Sequence, residues 1–187
     1  LSSEDFFNRE ALGINSLKLS AGYDVSGNDD VAITASRTSL SATRFMNNSV
    51  GLVLNNIGNT GIQWETTHRL RVGLDLTEYN NILAFSLNFF KSYTNNLLTL
   101  KSLPEITGEG YYWSNDGSLE NIGLDFGVRF KLLNRKNWKW ELGANATAYK
   151  NKITALPDGD YTTTIYGANV LTSVGRAAGV FYGYETD

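Results

Sequence analysis

The residues that could perform acid–base or nucleophilic chemistry are few in this sequence, and their spacing does not suit such chemistry. One His, His68, and no Cys are present, which excludes a His-based triad, a thiolate nucleophile and a multi-His or Cys-type metal site. Two carboxylate pairs remain as candidates for the acid and base of a glycosidase. Glu65 and Asp75 lie about 33 Å apart on one predicted strand, and Glu105 and Glu109 lie in a predicted loop. We therefore predict that the chain is not an enzyme.

Two other groups of residues could bind a ligand without transforming it. Asp24 and the Asn-Asp-Asp segment 28–30 carry oxygen ligands, but their spacing does not match an EF-hand and the distal Glu is missing. A solvated turn is therefore favoured over a calcium site, and no metal or cofactor is predicted. Tyr111, Tyr112 and Trp113 are consecutive in a predicted loop. They are candidates for stacking on a sugar ring or contacting a partner protein, and packing within the loop is the alternative.

Composition limits the kind of molecule that positions these residues. The chain has 187 residues, a formal net charge of −3 and no basic stripe, which argues against a nucleic-acid partner. No apolar run reaches the length of about 18 residues that a transmembrane helix needs. Membrane strands escape that test, because their signal is only a weak alternation over about 10 residues.

Alternation is the strongest pattern in the chain, and it is clearest in a predicted hairpin over 64–93. In each arm a row of apolar residues occupies one face, and charged or small polar residues occupy the other. The apolar row consists of Leu70, Val72, Leu74, Leu76, Leu83, Phe85, Leu87 and Phe89. The opposite row includes Arg69, Arg71, Asp75 and Ser92. The segment 120–149 repeats the pattern, with Leu124, Phe126, Val128 and Phe130 opposite Asp125 and Arg129.

The connections alternate in length. Those after Tyr79 and Leu133 are short, whereas those over 28–61, 101–118 and 157–178 are long. Short turns on one side and long loops on the other are typical of an outer-membrane β-barrel with periplasmic turns and extracellular loops. The predicted arms, at about 15 residues, also exceed the usual strand of about 5 to 6 residues. A soluble β-sandwich remains the alternative, because its strands alternate in the same way.

Aromatic residues near the strand ends agree with a membrane position. Trp138, Trp140 and Tyr79 flank the short turns, and Trp64, Tyr93 and Tyr149 lie toward the long loops, as in aromatic girdles at a headgroup region. In this interpretation the apolar row faces lipid, and Arg69, Arg71, Asp75, Asp125 and Arg129 face the lumen. Arg or Lys at mid-bilayer on the lipid face would cost about 2–4 kcal/mol. His68 is predicted on the lipid-side face near the upper rim, as an interfacial or loop-packed residue.

Several segments resemble the SusC/RagA family of TonB-dependent outer-membrane transporters, in the same order as in that family and over nearly the whole chain. They are 17–28 (LKLSAGYDVSGN), 62–66 (IQWET), 72–75 (VGLD), 80–81 (NN), 91–98 (KSYTNNLL), 120–124 (ENIGL), 149–153 (YKNKI) and 179–184 (GVFYGY). Two positions depart from the family pattern. Asn59-Thr60-Gly61 stands for Asn-Pro-Asn, and Ile122 stands for a common Lys. Both departures lie at strand entrances and leave the fold prediction unchanged.

The resemblance implies a 22-stranded barrel in the bacterial outer membrane, plugged by an N-terminal domain. It also implies import of an oligosaccharide or peptide, energised through TonB, ExbB and ExbD, with a SusD-like lipoprotein as lid. Residues 1–187 would then be a late section of that barrel with about five to seven strands and without the plug. An isolated sheet would expose strand edges and an apolar face, so we expect the rest of the transporter and outer-membrane lipid to cover it. A soluble or surface-attached carbohydrate-binding β-sandwich is the alternative function.

Overall fold

The computed structural model describes residues 13–45, 49–78, 81–108, 111–156 and 159–183. Within them the chain is built almost entirely of strands. The strands are β1 (Ile14–Asn28), β2 (Ser39–Phe45), β3 (Ser49–Asn56), β4 (Glu65–Glu78), β5 (Leu83–Ser102), β6 (Tyr111–Arg135), β7 (Trp138–Ala155), β8 (Tyr161–Ile165), β9 (Ala168–Thr172) and β10 (Val180–Phe181). Short 3-10 helices cover Ile33–Ser36 and Glu105–Thr107.

Five long strands form the main sheet, in the order β1-β4-β5-β6-β7. A two-stranded antiparallel ribbon, β2-β3, and a three-stranded sheet, β10-β9-β8, accompany it. The predicted fold class is confirmed in its main terms: the described chain is all-β, its sheets are antiparallel, and they do not close into a barrel. Of the helices in the described residues, none has the length and hydrophobicity needed to cross a bilayer.

The chain divides into two compact units. The first unit comprises residues 1–25, 68–93 and 120–151, and the second comprises 26–67, 94–119 and 152–187. Each is described separately below.

In the first unit, glycines on the polar face let side chains of neighbouring strands lie over the backbone. A Cβ at Gly73 would meet the side chains of Ser20 and Asn88, and a Cβ at Gly123 would meet Phe90 and Tyr149. These contacts fix which residues are neighbours across the strands. They also explain why these positions take Gly, since any larger residue would displace a neighbouring side chain.

The other face of the first unit is apolar, and protein does not cover it. Phe85 and Phe126 meet edge to face there, with ring centroids 5.3 Å apart. Phe126 nevertheless remains 38% exposed, and Leu142 remains 61% exposed. No side chain in the described residues is fully buried. The first unit thus presents a row of apolar side chains without a second protein layer over it.

The second unit contains the few buried apolar residues of the described chain, Ala35, Ile153 and Val170. Ala35 lies in the first 3-10 helix, and its carbonyl accepts a hydrogen bond from the Asn59 backbone amide at 2.7 Å. Gly58 crosses the same turn so closely that a Cβ there would overlap the backbone of Arg37. This crossing anchors the segment that follows the β2-β3 ribbon.

Strands β8 and β9 form a hairpin whose two loop residues both have positive φ. Tyr166 has φ 50° and Gly167 has φ 82°, and Ile165 pairs with Ala168 across the turn. Positive φ at both central positions is the requirement of a type I′ turn, which matches the twist of the flanking strands. Gly167 meets it without strain, and Tyr166 is the less usual residue there.

The loop predicted over 101–118 is wrong for most of its length. Strand β5 continues to Ser102 and β6 already begins at Tyr111, so the connection shortens to 103–110. Side-chain amides extend the pairing here, because Asn115 donates to the backbone carbonyl of Asn96 at 3.0 Å. The loops predicted over 28–61 and 157–178 are also partly ordered as sheet, since they contain the β2-β3 ribbon and the β8-β9 hairpin.

Two further sequence predictions lie outside the described residues. They are the helical turn within 1–13, of which only Gly13 is described, and the position of Tyr79 in the turn between β4 and β5.

Candidate functional site

The main candidate is a polar surface on the first unit, formed by alternate residues of β4 to β7. Part of it is an open concavity of about 610 Å³. Of the five residues predicted to face a lumen, Arg69, Arg71 and Asp125 line it, together with Asn88 and Ser92. We call this concavity, with the one described next, the polar surface.

The second concavity, of about 340 Å³, contains the other two of those five residues, Asp75 and Arg129. Gly127 and Asn145 also line it. A Cβ at Gly127 would meet the side chains of Ser86 and Asn145, so these three residues share the face. Alternation thus brings all five predicted lumen-facing residues to concave, polar parts of the first unit.

The charges on the polar surface are of both signs and remain hydrated. Arg71 donates to Asp24 at 2.9 Å, and the two side chains are 58% and 41% exposed. An ion pair this exposed contributes little binding or folding energy. The surface therefore suits polar, mixed-charge or hydrated contacts better than selection of a single ionic charge.

Two aromatic residues on the polar surface refine the sequence analysis. Phe90 was not assigned to this face, yet it lines the concavity and lies beside Gly123. Strict counting along β5 would have found it, because Phe90 lies between Asn88 and Ser92 in the same row. Tyr149 also lines the concavity, so its predicted membership of a lipid-facing girdle is wrong. Its odd position in β7 places it opposite the row of Trp138 and Trp140.

The apolar face holds the residues predicted to contact lipid. Trp138 and Trp140, predicted in an aromatic girdle, are both largely exposed on this row of β7. His68 lies on the apolar-row side of β4, where its Nδ1 is 2.6 Å from the Tyr23 hydroxyl. This single hydrogen-bonded pair is suited to a polar boundary and does not bring His68 near a second catalytic group.

The three aromatic residues predicted to bind a ligand from a loop are instead the first residues of β6. Consecutive strand residues point to opposite faces, so Tyr112 points away from Tyr111 and Trp113. The ring of Tyr112 lies under the Lys101 ammonium, 5.6 Å from Nζ to the ring centroid. The Trp113 carbonyl accepts a hydrogen bond from Asn59 at 3.0 Å. Only Tyr111, with its side chain mostly exposed, is left without such a structural contact among these items of the second unit.

The carboxylates considered for catalysis or calcium binding serve local structure. Glu65 accepts hydrogen bonds from the Leu98 amide and the Asn28 side chain, both at 2.9 Å. The Asn28 side chain also accepts from the Asp30 amide at 3.2 Å, which is an Asx turn. Within the described ranges, no group of three or more His, Cys, Asp or Glu residues is placed to hold a metal ion.

Comparison with known proteins adds a family to this geometry. No protein-family model matches the chain. TonB-dependent receptor P26 of Formosa agariphila is 32% identical over 99% of this chain and 19% of its own length. TonB-dependent receptor P3 of the same organism is 30% identical over 99% of this chain and 19% of its length. TonB-dependent receptor SusC of Bacteroides thetaiotaomicron is 30% identical over 68% of this chain and 14% of its length.

Solved structures show the same fold. The RagAB peptide transporter matches with a TM-score of 0.78 at 24% identity, over 87% of this chain and 18% of that one. The RagAB peptide importer in its open-open state matches with a TM-score of 0.77 over 92% of this chain. The chain thus spans about a fifth of the length of the proteins it matches best documented here, 19% for both Formosa receptors. These relatives are receptors and transporters and not enzymes. Sequence and fold together identify the chain as a SusC/RagA-type segment of a TonB-dependent receptor.

Proposed function

We propose that this chain forms part of the β-barrel wall of a transporter that imports an oligosaccharide or a peptide across the bacterial outer membrane. The observation that carries the proposal is the apolar face of the first unit. Leu70, Val72 and Leu124 each remain more than 40% exposed in strands that are regular and paired. Water would penalise such a row, whereas hydrocarbon would not.

The polar surface would then face the lumen. Arg69, Arg71, Asp75, Asp125 and Arg129 lie on concave polar parts of the first unit, on the side that strand alternation sets opposite the apolar row. Mixed charges with exposed side chains suit hydrated contacts with a plug domain or with passing cargo. This arrangement supports the assignment of the two faces to lumen and lipid.

Partners follow from the relatives. The chain is similar to SusC and to RagAB, and RagAB is a peptide transporter. We therefore propose that the complete protein works with a SusD-like surface lipoprotein and is energised through TonB, ExbB and ExbD. The peptide cargo of RagAB favours a peptide, and the likeness to SusC keeps an oligosaccharide equally in view.

Arg substitutions on the two faces test the membrane position. Phe126→Arg or Leu74→Arg would place a charge in hydrocarbon, at a cost of about 2–4 kcal/mol near the bilayer midplane. Thr147→Arg is the matched control, because Thr147 is exposed and lies on the polar row of β7. The full-length receptor is expressed with each change, and the amount that reaches the outer-membrane fraction is measured. We expect a large loss for Phe126→Arg and Leu74→Arg and near-normal levels for Thr147→Arg.

A soluble carbohydrate-binding β-sandwich makes the opposite prediction. In a sandwich the apolar row would pack on a second sheet, but in the first unit that row is exposed. Recovery of a monomeric, water-soluble Phe126→Arg protein with normal strand content would overturn the transporter proposal in favour of such a module.

A further inference from the structure

Two lysines lie on the apolar side of the first unit, where a membrane protein has few reasons to place a charge. Phe85 of β5 and Phe126 of β6 mark that side, because their rings touch. Lys91 is an even number of residues from Phe85, and Glu120 is an even number from Phe126, so both share that side. Their direct contact confirms it, with Lys91 Nζ 2.9 Å from a Glu120 carboxylate oxygen.

The second lysine is Lys150 of β7. On the polar side, Gly123 lies between the side chains of Phe90 and Tyr149. The next positions along the three strands, Lys91, Ile122 and Lys150, must therefore be neighbours on the apolar side, with the lysines on either side of Ile122. Two strand spacings place the two lysine Cα atoms about 10 Å apart, a separation that their side chains can close.

The lysines lie where the apolar row ends. On β7 this row runs from Trp138 to Ala148, and Lys150 is the next residue on the same side. Those ten steps span about 33 Å along the strand, or about 25 Å along the membrane normal at a usual strand tilt, which equals the height of the apolar band in outer-membrane barrels. Lys91 follows Phe89 in the same way on β5. Both ammonium groups are thus at the level of lipid headgroups.

The charge balance at this position favours an anion. Glu120 neutralises one lysine. Lys150 is exposed, and within the described ranges it forms no ion pair. Phosphate is the anion that lysines hold as point charges, and it is the charged group of membrane lipids. An acidic peptide would satisfy the lysines but not the uncovered apolar side chains beside them.

We propose that Lys91 and Lys150 form a binding site for a phosphate-bearing lipid of the outer leaflet. Its phosphate lies between the two ammonium groups over Ile122, and its acyl chains run along Phe89 and Leu124. Glu120 holds Lys91 in position from the other side. This site rests on the proposed membrane function, because it needs hydrocarbon against the apolar row.

The test measures lipid phosphorus that remains with the full-length receptor after purification from outer membranes in mild detergent. Lys91→Gln/Lys150→Gln removes both charges, and Lys150→Gln alone leaves the Lys91–Glu120 ion pair intact. The control is Lys131→Gln/Lys139→Gln, which removes two charges from the polar rows of β6 and β7. We expect retention to fall about fivefold for each lysine removed from the site and to stay unchanged in the control. Lys91→Arg/Lys150→Arg is expected to restore it.

Excess inorganic phosphate distinguishes a lipid headgroup from a free phosphate ion. Lipid anchored by its acyl chains stays bound in millimolar phosphate, and displacement of the retained phosphorus would overturn the proposal. Equal retention by Lys150→Gln and wild-type receptor, both recovered from the outer membrane, would overturn it too and leave the transporter proposal standing. If the wild-type receptor does not reach the outer membrane, the transporter proposal and this site both fail.

Discussion

The two units of this chain differ in what holds their side chains in place. In the second unit, side chains bind backbone: Asn115 contacts the backbone of Gln63 and Asn96, and Glu65 accepts from the Leu98 amide. In the first unit the principal contacts join pairs of exposed or half-buried side chains, such as Arg71 with Asp24. The second unit stabilises its own loops and strand ends, whereas the first offers two surfaces and fastens little to itself.

This difference follows from the surroundings that we propose for each surface. Strands that lie in hydrocarbon satisfy their backbone by pairing alone, and their apolar side chains are covered by lipid. Segments that meet water need capping hydrogen bonds and a small core, because irregular backbone must find partners. The same alternating sequence can therefore serve a region that is stable alone or one that depends on its solvent.

The largest effect is expected where backbone meets backbone in the second unit. Gly58→Ala would drive a Cβ into the backbone of Arg37, which no side-chain movement can relieve. We expect a loss of about 3 kcal/mol in local stability, measured as faster amide exchange at Asn59 in the full-length receptor. Gly143→Ala is the control in the first unit, because its Cβ would meet nothing nearer than the Val128 carbonyl at 3.6 Å. Similar effects at both glycines would contradict the contrast between the units.

A smaller effect is expected from the side-chain network of the second unit. Asn115→Ala removes two donated hydrogen bonds and one accepted from the Gln63 amide at 2.7 Å. The buried partners left unsatisfied should cost about 1–3 kcal/mol, seen as faster exchange at Gln63 and around Asn96. In the first unit, Asn121→Ala should change exchange by no more than about 0.5 kcal/mol. Unchanged exchange in Asn115→Ala would show that the network is not what orders this region.

The smallest effect is expected from the ion pair on the polar surface. Asp24→Asn breaks its contact with Arg71, but both side chains are well exposed. The loss should not exceed about 1 kcal/mol and should shrink as salt is added. Unfolding by urea in lipid vesicles at low and high salt measures it. A loss of several kcal/mol, independent of salt, would mean that the first unit is fastened by its charges after all.

The sequence predicted strands and their rows more successfully than loops. Alternation placed Asp75, Asp125 and Arg129 in one polar row, because side-chain direction in a strand depends only on counting. It missed Phe90, whose aromatic ring suggested the wrong side. It also missed that Tyr111 begins a strand, since the hydrogen bonds of Asn115 that extend the pairing join residues distant in the sequence. Which residues of β2 and β3 pair was equally hidden, because that stretch has weak alternation.

The lack of a buried core in the first unit has a consequence for biogenesis. A chain that hides so few of its apolar side chains within itself gains little from collapsing in water. For this unit, acquiring structure and entering the bilayer must then be a single event. Until that event, the newly made polypeptide needs a chaperone to keep its greasy ribbons from pairing with those of another molecule.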